Sequence, residues 1–209
     1  MEKLVFLFKK ITSVDLFTLF NSLLFLMMTK FVYYDRFITY RGAANIHEFF
    51  FYATVIYVAI LYFWTKLRYI KMPLYILILF EAMILLHFAA AFVEINGHRL
   101  YDLRIFEIRF DKFVHFINAL IATIITFYFF QKNQCKITKF MMMMTVFSVL
   151  GIGAVIEIVE YIVTLTVEHN GVGAYNNNML DLVANLFGSV TAVLLFKYIL
   201  KDYICDKDE

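Results

Sequence analysis

"FDKFVHFINALIATIITFYFF", residues 110–130, decides the fold: an acid, a lysine and a histidine open a segment that otherwise runs on as an apolar helix. A helix rising 1.5 Å per residue needs about 20 residues to cross a hydrocarbon core of roughly 30 Å, and this stretch is long enough. Apolar windows of the same kind, divided by polar breaks, predict helices near 13–34, 47–67, 73–95, 112–131, 139–167 and 180–201. The chain has 63% hydrophobic and 19% aromatic residues, a mean hydropathy of +0.76 and one proline in 209 residues. That composition reads as an all-α, polytopic integral membrane protein, a single transmembrane domain over residues 1–209 with no room for a soluble domain of ordinary size.

The punctuation agrees. Pro73 falls in the first turn of the third span, where its missing N–H is harmless. "EHNGVGAYNNN", 168–178, is the clearest turn-rich break and separates the last two spans. The N-terminal run, 1–31, is expected to stay as a first span, because no small-residue cleavage site follows it. The end "ICDKDE" does not fit the prenylation pattern, so no lipid anchor is expected.

Lys3, Lys9, Lys10, Lys66, Arg68, Lys71, Lys132, Lys136, Lys139, Lys197, Lys201 and Lys207 fall at one set of span ends. Lys30, Arg36, Arg41, Arg99, Arg104, Arg109 and Lys112 fall at the other. The positive-inside tendency then puts both termini of this multi-pass protein in the cytoplasm. Cys135 and Cys205 fall on the cytoplasmic side, where thiols stay reduced, so neither a disulfide nor a Cys-based metal site is expected. The net charge of +2, spread through loops, shows no block suited to nucleic acid. No internal repeat suggests an inverted-repeat transporter, and "MMMM", 141–144, reads as packing filler.

Ionisable side chains inside a span are costly and tend to be paired or functional. Here they gather on three helices. Asp111, His115 and Asn118 stand at i, i+4 and i+7 on the fourth span, Glu157 and Glu160 at i and i+3 on the fifth, and Asp181, Asn185 and Gly188 at i, i+4 and i+7 on the sixth. With the predicted orientation, the charged members lie at one depth in the outer half of the membrane. His87 on the third span reaches a similar level, with Glu94 one heptad on.

Carboxylates with imidazole are ligands for Zn, Mn or Fe, and an oxygen-rich balance also suits Mg or Ca. Asp111, His115, Glu157, Glu160 and Asp181 are the expected ligand set for such a divalent ion, with Glu157, Glu160 and His115 also the candidates for catalysis. Arg104 and Arg109, in the amphipathic stretch "NGHRLYDLRIFEIRF" (96–110), are expected to hold an anionic part of a substrate, with His87 beside them. The same stretch also suits a short amphipathic segment anchored to lipid head groups. The bland alternative for the cluster is a set of interhelical hydrogen bonds. Glu81, nearer mid-membrane, fits that alternative or a proton path; His47, Glu48 and His98 sit at helix ends, and His169 in a loop. There is no G-x-S-x-G, and no cysteine near a histidine, so hydrolysis would use an activated water. Ser148, Ser189, Gly151, Gly153 and Gly188 read as small packing residues.

The order "DKFVHF", "EIVEY", "DLVANLFG" resembles the VanZ-like membrane proteins. Together with "LHFAAAFVEI", residues 85–192 are more similar to the bacterial YjdF-like inner-membrane proteins. The resemblance implies a polytopic protein, most members having no established activity, with VanZ itself associated with low-level teicoplanin resistance. It carries over Asp111, His115, Glu157, Glu160 and Asp181. Where relatives often place a further acid before the last Asp, this chain has Asn176, Asn177 and Asn178. Three functions are compatible with these features. One is a metal-dependent hydrolase or transferase acting on an amphipathic or lipid-linked envelope substrate. The others are a proton-coupled transporter and a non-catalytic envelope-stress or glycopeptide-resistance factor.

Overall fold

The structure, a computed structural model, describes residues 11–70, 72–135, 137–166 and 175–200. Among them, six helices are long and apolar enough to cross a membrane: Ser13–Thr39, Ala43–Leu67, Leu74–Phe92, Phe110–Lys132, Lys139–Ile162 and Tyr175–Tyr198. Their lipid-length faces leave many large apolar side chains uncovered, such as Phe51, Ile152 and Phe187. That is the expected surface of a chain whose solvent is hydrocarbon and whose backbone bonds are satisfied inside each helix.

The chain divides into two compact units, Met1–Ile78 and Leu79–Glu209. In the first, α1 (Ser13–Met28) passes through a π-helical turn, Thr29–Tyr33, into α2 (Tyr34–Arg41), and α3 (Ile46–Leu67) follows. Thr12 and Asp15 form a reciprocal capping box at the start of α1. Asp15 also accepts from Trp64 Nε1 at 2.8 Å and pairs with Arg68 Nε at 3.0 Å, which ties α1 to the far end of α3. Near the other end of α3, Phe49 packs edge-on to Tyr34 and tilted to Phe37, and Arg41 pairs with Glu48 at 3.0 Å. The first span thus runs past the predicted residue 34. The apolar run thins there, but nothing stops the helix before Gly42, whose φ of 80° closes it.

The second unit holds the end of α4 (Leu74–Phe92), two hairpins, α5 (Phe110–Lys132), α6 (Lys139–Thr166) and α7 (Tyr175–Leu195), with a π-helical continuation Phe196–Leu200. α5 and α7 pack closely. A Cβ on Gly188 would lie 2.1 Å from the Phe116 carbonyl oxygen, so only glycine permits this approach. Lower down, the rings of Phe127 and Phe196 meet at 4.5 Å, both buried. Gly153 of α6 makes room for the Asn185 amide of α7 in the same way.

Three departures from the predicted elements concern the site. The third span ends at Phe92, before the predicted 95, because residues 93–110 fold as two antiparallel hairpins joined by a 3₁₀ turn, Leu100–Asp102. β1 (Glu94–Ile95) pairs with β2 (His98–Arg99), and β3 (Arg104–Ile105) with β4 (Ile108–Arg109). Leu100 N–H donates to the Val93 carbonyl, and Phe110 N–H to that of Leu103, both at 2.8 Å. Asn96-Gly97 has positive φ at both positions, the preferred hairpin dipeptide. The segment expected as one amphipathic stretch is therefore a pair of hairpins. Finally, the last helix starts at Tyr175, before the predicted 180: Asn176, Asn177 and Asn178 are its first turn and not part of a loop. Cys135 is a free, exposed thiol; Cys205 and His169 lie outside the described residues.

Candidate functional site

A cavity of about 350 Å³ opens within the second unit, under the hairpins and among α4, α5, α6 and α7. The i, i+4 spacing on α5 brings Asp111 and His115 to its wall, and i, i+3 on α6 brings Glu157 and Glu160. α7 contributes Asn177, Asp181 and Asn185, again one turn apart. His87 of α4 and Arg109 at the end of β4 also line it.

Of the five predicted ligands, His115, Glu157 and Asp181 come together, each with one donor atom, all three atoms within 4.8 Å of one another. Glu157 and Asp181 are buried. Both oxygens of Glu157 are sealed from solvent and have no hydrogen-bond partner, which normally costs free energy unless something binds there. Asp111 and Glu160 line the same cavity but stand outside this trio. Arg104 is away from the lining. It is 65% exposed and pairs with the more exposed Glu107 at 3.5 Å. Glu81 is also away from the lining.

Lys112, assigned from the sequence to the end-of-span charges, is instead buried at the centre of the polar network. Its ammonium reaches Asp181 Oδ1 at 2.6 Å, Asn177 Oδ1 at 2.9 Å, the Asn177 carbonyl at 3.0 Å and Asp111 Oδ2 at 3.2 Å. Asn177 Nδ2 donates to Asp181 Oδ2 at 3.0 Å, so both oxygens of Asp181 are engaged. A cation at the trio would therefore share Asp181 with Lys112 or Asn177, and Glu157 is the side chain there with no competing partner. Lys112 was legible in one respect: it stands three residues before His115, on the same helix face.

The hairpin side is held by a second set of pairs. Asp102 accepts from Arg99 Nε and Arg109 Nη2, each at 2.7 Å, and Arg109 Nη1 donates to Asn177 Oδ1 at 2.7 Å. Burial raises the Asp102 carboxyl, but the two arginines outweigh it and hold the group below its ordinary value. Tyr101, in the same turn, meets His87 Nδ1 at 2.6 Å. Burial pushes the Tyr101 phenol up and the carboxylates of Glu160, Asp111 and Asp181 push the same way, so it keeps its proton, and the His87 tautomer sets which of the two donates. Tyr101, Arg99 and Asp102 carried no sequence signal of their own; the hairpin fold brings them here.

A count of charge summarises the chemistry. Arg99, Arg109 and Lys112 are matched by Asp102, Asp111 and Asp181 in the observed pairs. None of these pairs includes Glu157 or Glu160. Two carboxylates one turn apart are then left to be balanced by a divalent cation or by protons. An imidazole nitrogen with two carboxylates is a competent donor set for such a cation.

No curated protein and no solved structure matches the chain. A family model described as "Predicted membrane protein (DUF2238)" matches residues 17–202. That match takes in all but the first four residues of the six apolar helices and every residue of the cavity, and it places the chain in the DUF2238 family of predicted membrane proteins.

Proposed function

We propose that this protein is an envelope enzyme of the bacterial cytoplasmic membrane, with both termini in the cytoplasm and its cavity facing the outer side. In this reading His115, Glu157 and Asp181 hold a divalent cation, and the protein hydrolyses or transfers a group on an amphipathic, lipid-linked substrate. The observation that carries it is the pair of buried, unpartnered Glu157 oxygens facing His115 and Asp181. A divalent ion there would polarise an ester or phosphoester oxygen and acidify water. Glu160, lining the cavity outside the trio, is the base that takes the proton of the attacking water. Lys112 keeps Asp111 and Asp181 in place and is a positioning residue.

Elemental analysis of the purified protein tests the reading. About one equivalent of a divalent metal per chain is expected, lost in Glu157→Gln and in His115→Ala. Protein that folds, carries no metal and takes none up on titration with Zn, Mn, Fe or Mg overturns it.

The leftover charge of Glu157 and Glu160 equally supports a second reading, a proton-coupled transporter in which protons balance the two carboxylates. Flux in proteoliposomes that follows a pH gradient and stops in Glu157→Gln, without bound metal, decides for it. The VanZ-like resemblance supports a third, a non-catalytic envelope factor. Large stability losses at all five acidic and histidine positions, with no ligand effect, would favour it.

A further inference from the structure

The cavity changes chemistry along its length. Under the hairpins it is lined by Arg99, Tyr101 and Asn177, and in its middle by His115, Glu157 and Asp181. Ala122 lies seven residues beyond His115 on α5, about 10 Å further at helical rise. There the wall is mostly apolar, with Ala119, Ala122, Val149 and Ile152 lining it and Asn185 beside Gly153. A polar end at the membrane boundary and an apolar end toward mid-hydrocarbon is the orientation a membrane amphiphile already has.

Two features restrict its head. The three cations are already paired with three aspartates, so even with Glu157 and Glu160 balanced by a divalent ion, the cavity keeps no unpaired positive charge for an anion. Further, with Glu157 given to the ion, the buried polar atoms of the lining that keep no partner among the described residues are both acceptors: Asp111 Oδ1 and Asn118 Oδ1. Buried acceptors call for donors. At these two atoms the lining offers acceptors with no donor against them, which suits a ligand group bearing N–H or O–H.

Resting on the reading of this cavity as a substrate site, we propose that its ligand is a membrane lipid whose head donates hydrogen bonds and carries no net negative charge, bearing an ammonium or a hydroxyl. The first methylenes of its chain lie along Ala119, Ala122 and Ile152. This departs from the expectation that arginines hold an anionic substrate, since Arg104 is elsewhere and Arg109 is engaged by Asp102 and Asn177.

Native mass spectrometry of the delipidated full-length protein, incubated with an equimolar mixture of dioleoyl phosphatidylethanolamine, phosphatidylcholine and phosphatidylglycerol, tests it. The first has donors and no net charge, the second no donors, and the third donors with a negative charge. Retention of phosphatidylethanolamine at least about tenfold above both others is expected, one factor of ten being the worth of a single good polar contact. Asn118→Leu, which removes an acceptor, is expected to erase most of that preference. Ile152→Trp, at a position 64% exposed and so tolerant of bulk, is expected to lower retention of every lipid while leaving metal content unchanged. Equal retention of the three lipids, preference for phosphatidylglycerol, or a preference untouched by Asn118→Leu overturns the proposal. Metal content is read separately: preference without bound metal removes the metal reading alone, and metal without preference removes this one alone.

Discussion

Replacing Lys112 by methionine tests the network at its centre. The side chain is 10% exposed and holds Asp181, 3% exposed, at 2.6 Å and Asp111, 8% exposed, at 3.2 Å. Methionine keeps the length and apolar stem of lysine and deletes the charge, leaving a buried carboxylate at Asp181 with the Asn177 amide at 3.0 Å and His115 Nε2 at 3.5 Å. Removing one partner of a buried pair costs about 3–5 kcal/mol, because the other charge is stranded. Asp111 loses less, since Arg109 Nε stands 3.6 Å from it. For a chain of this size each kcal/mol moves a melting midpoint by roughly 2–4 °C, so a fall of about 6–20 °C is expected on heating the detergent-solubilised protein. The double variant Lys112→Met with Asp181→Asn strands no charge and is expected to recover more than half of the loss. Arg104→Met, which removes an exposed pair, is expected to change the midpoint by less than about 2 °C. A Lys112→Met midpoint within about 1 °C of the parent, or a double variant no better than the single, would refute the buried-pair argument.

Other perturbations follow from the same geometry. Gly188→Ala drives a Cβ to 2.1 Å from the Phe116 carbonyl oxygen and forces α5 and α7 apart, with an expected loss of about 1–3 kcal/mol in thermal unfolding. Gly151→Ala, with nothing within 4 Å, is its control and is expected to be neutral or to gain up to about 1 kcal/mol from helix propensity. The second hairpin turn places Phe106 and Glu107 at φ of 50° and 65°, which costs about 1–2 kcal/mol per residue. Phe106→Asn with Glu107→Gly is therefore expected to slow amide exchange at Phe110, whose N–H closes that hairpin. Asp102 has a folded pKa below its ordinary value, so its contribution is complete above the unfolded carboxylate value of about 3.9 and is lost as pH falls through the lower folded one. Amide protection at Leu100 and Phe110, corrected for intrinsic exchange, is expected to hold from pH 7 to about pH 5 and to fall below about pH 4. Asp102→Asn is expected to have low protection throughout.

Much of this was legible in the residues. The six crossing helices follow from apolar length alone, a local property that needs no knowledge of neighbours. So do the polar faces of α5, α6 and α7, since helical periodicity puts Asp111 with His115, Glu157 with Glu160, and Asp181 with Asn185 on common stripes. Asn96-Gly97 carries a hairpin signal in its own backbone preference, whereas the second hairpin, along 103–110, shows only the apolar-polar alternation that reads as an interfacial segment. Asn176–Asn178 looked like a loop because asparagine is common in turns; in place, Asn177 serves Lys112, Arg109 and Asp181, and that network lets a weak helix former begin α7.

What only the tertiary structure decided is which charges meet. The sequence names acids, a histidine and a lysine on three helices but not the distance between those helices, and electrostatic and ligand geometry depend on that distance. The contact of Gly188 with the Phe116 backbone brings α7 close enough for Asp181 to take Lys112. That one approach turns a lysine counted among the ends of spans into the counter-ion of the core, and leaves Glu157 as the carboxylate in need of a partner.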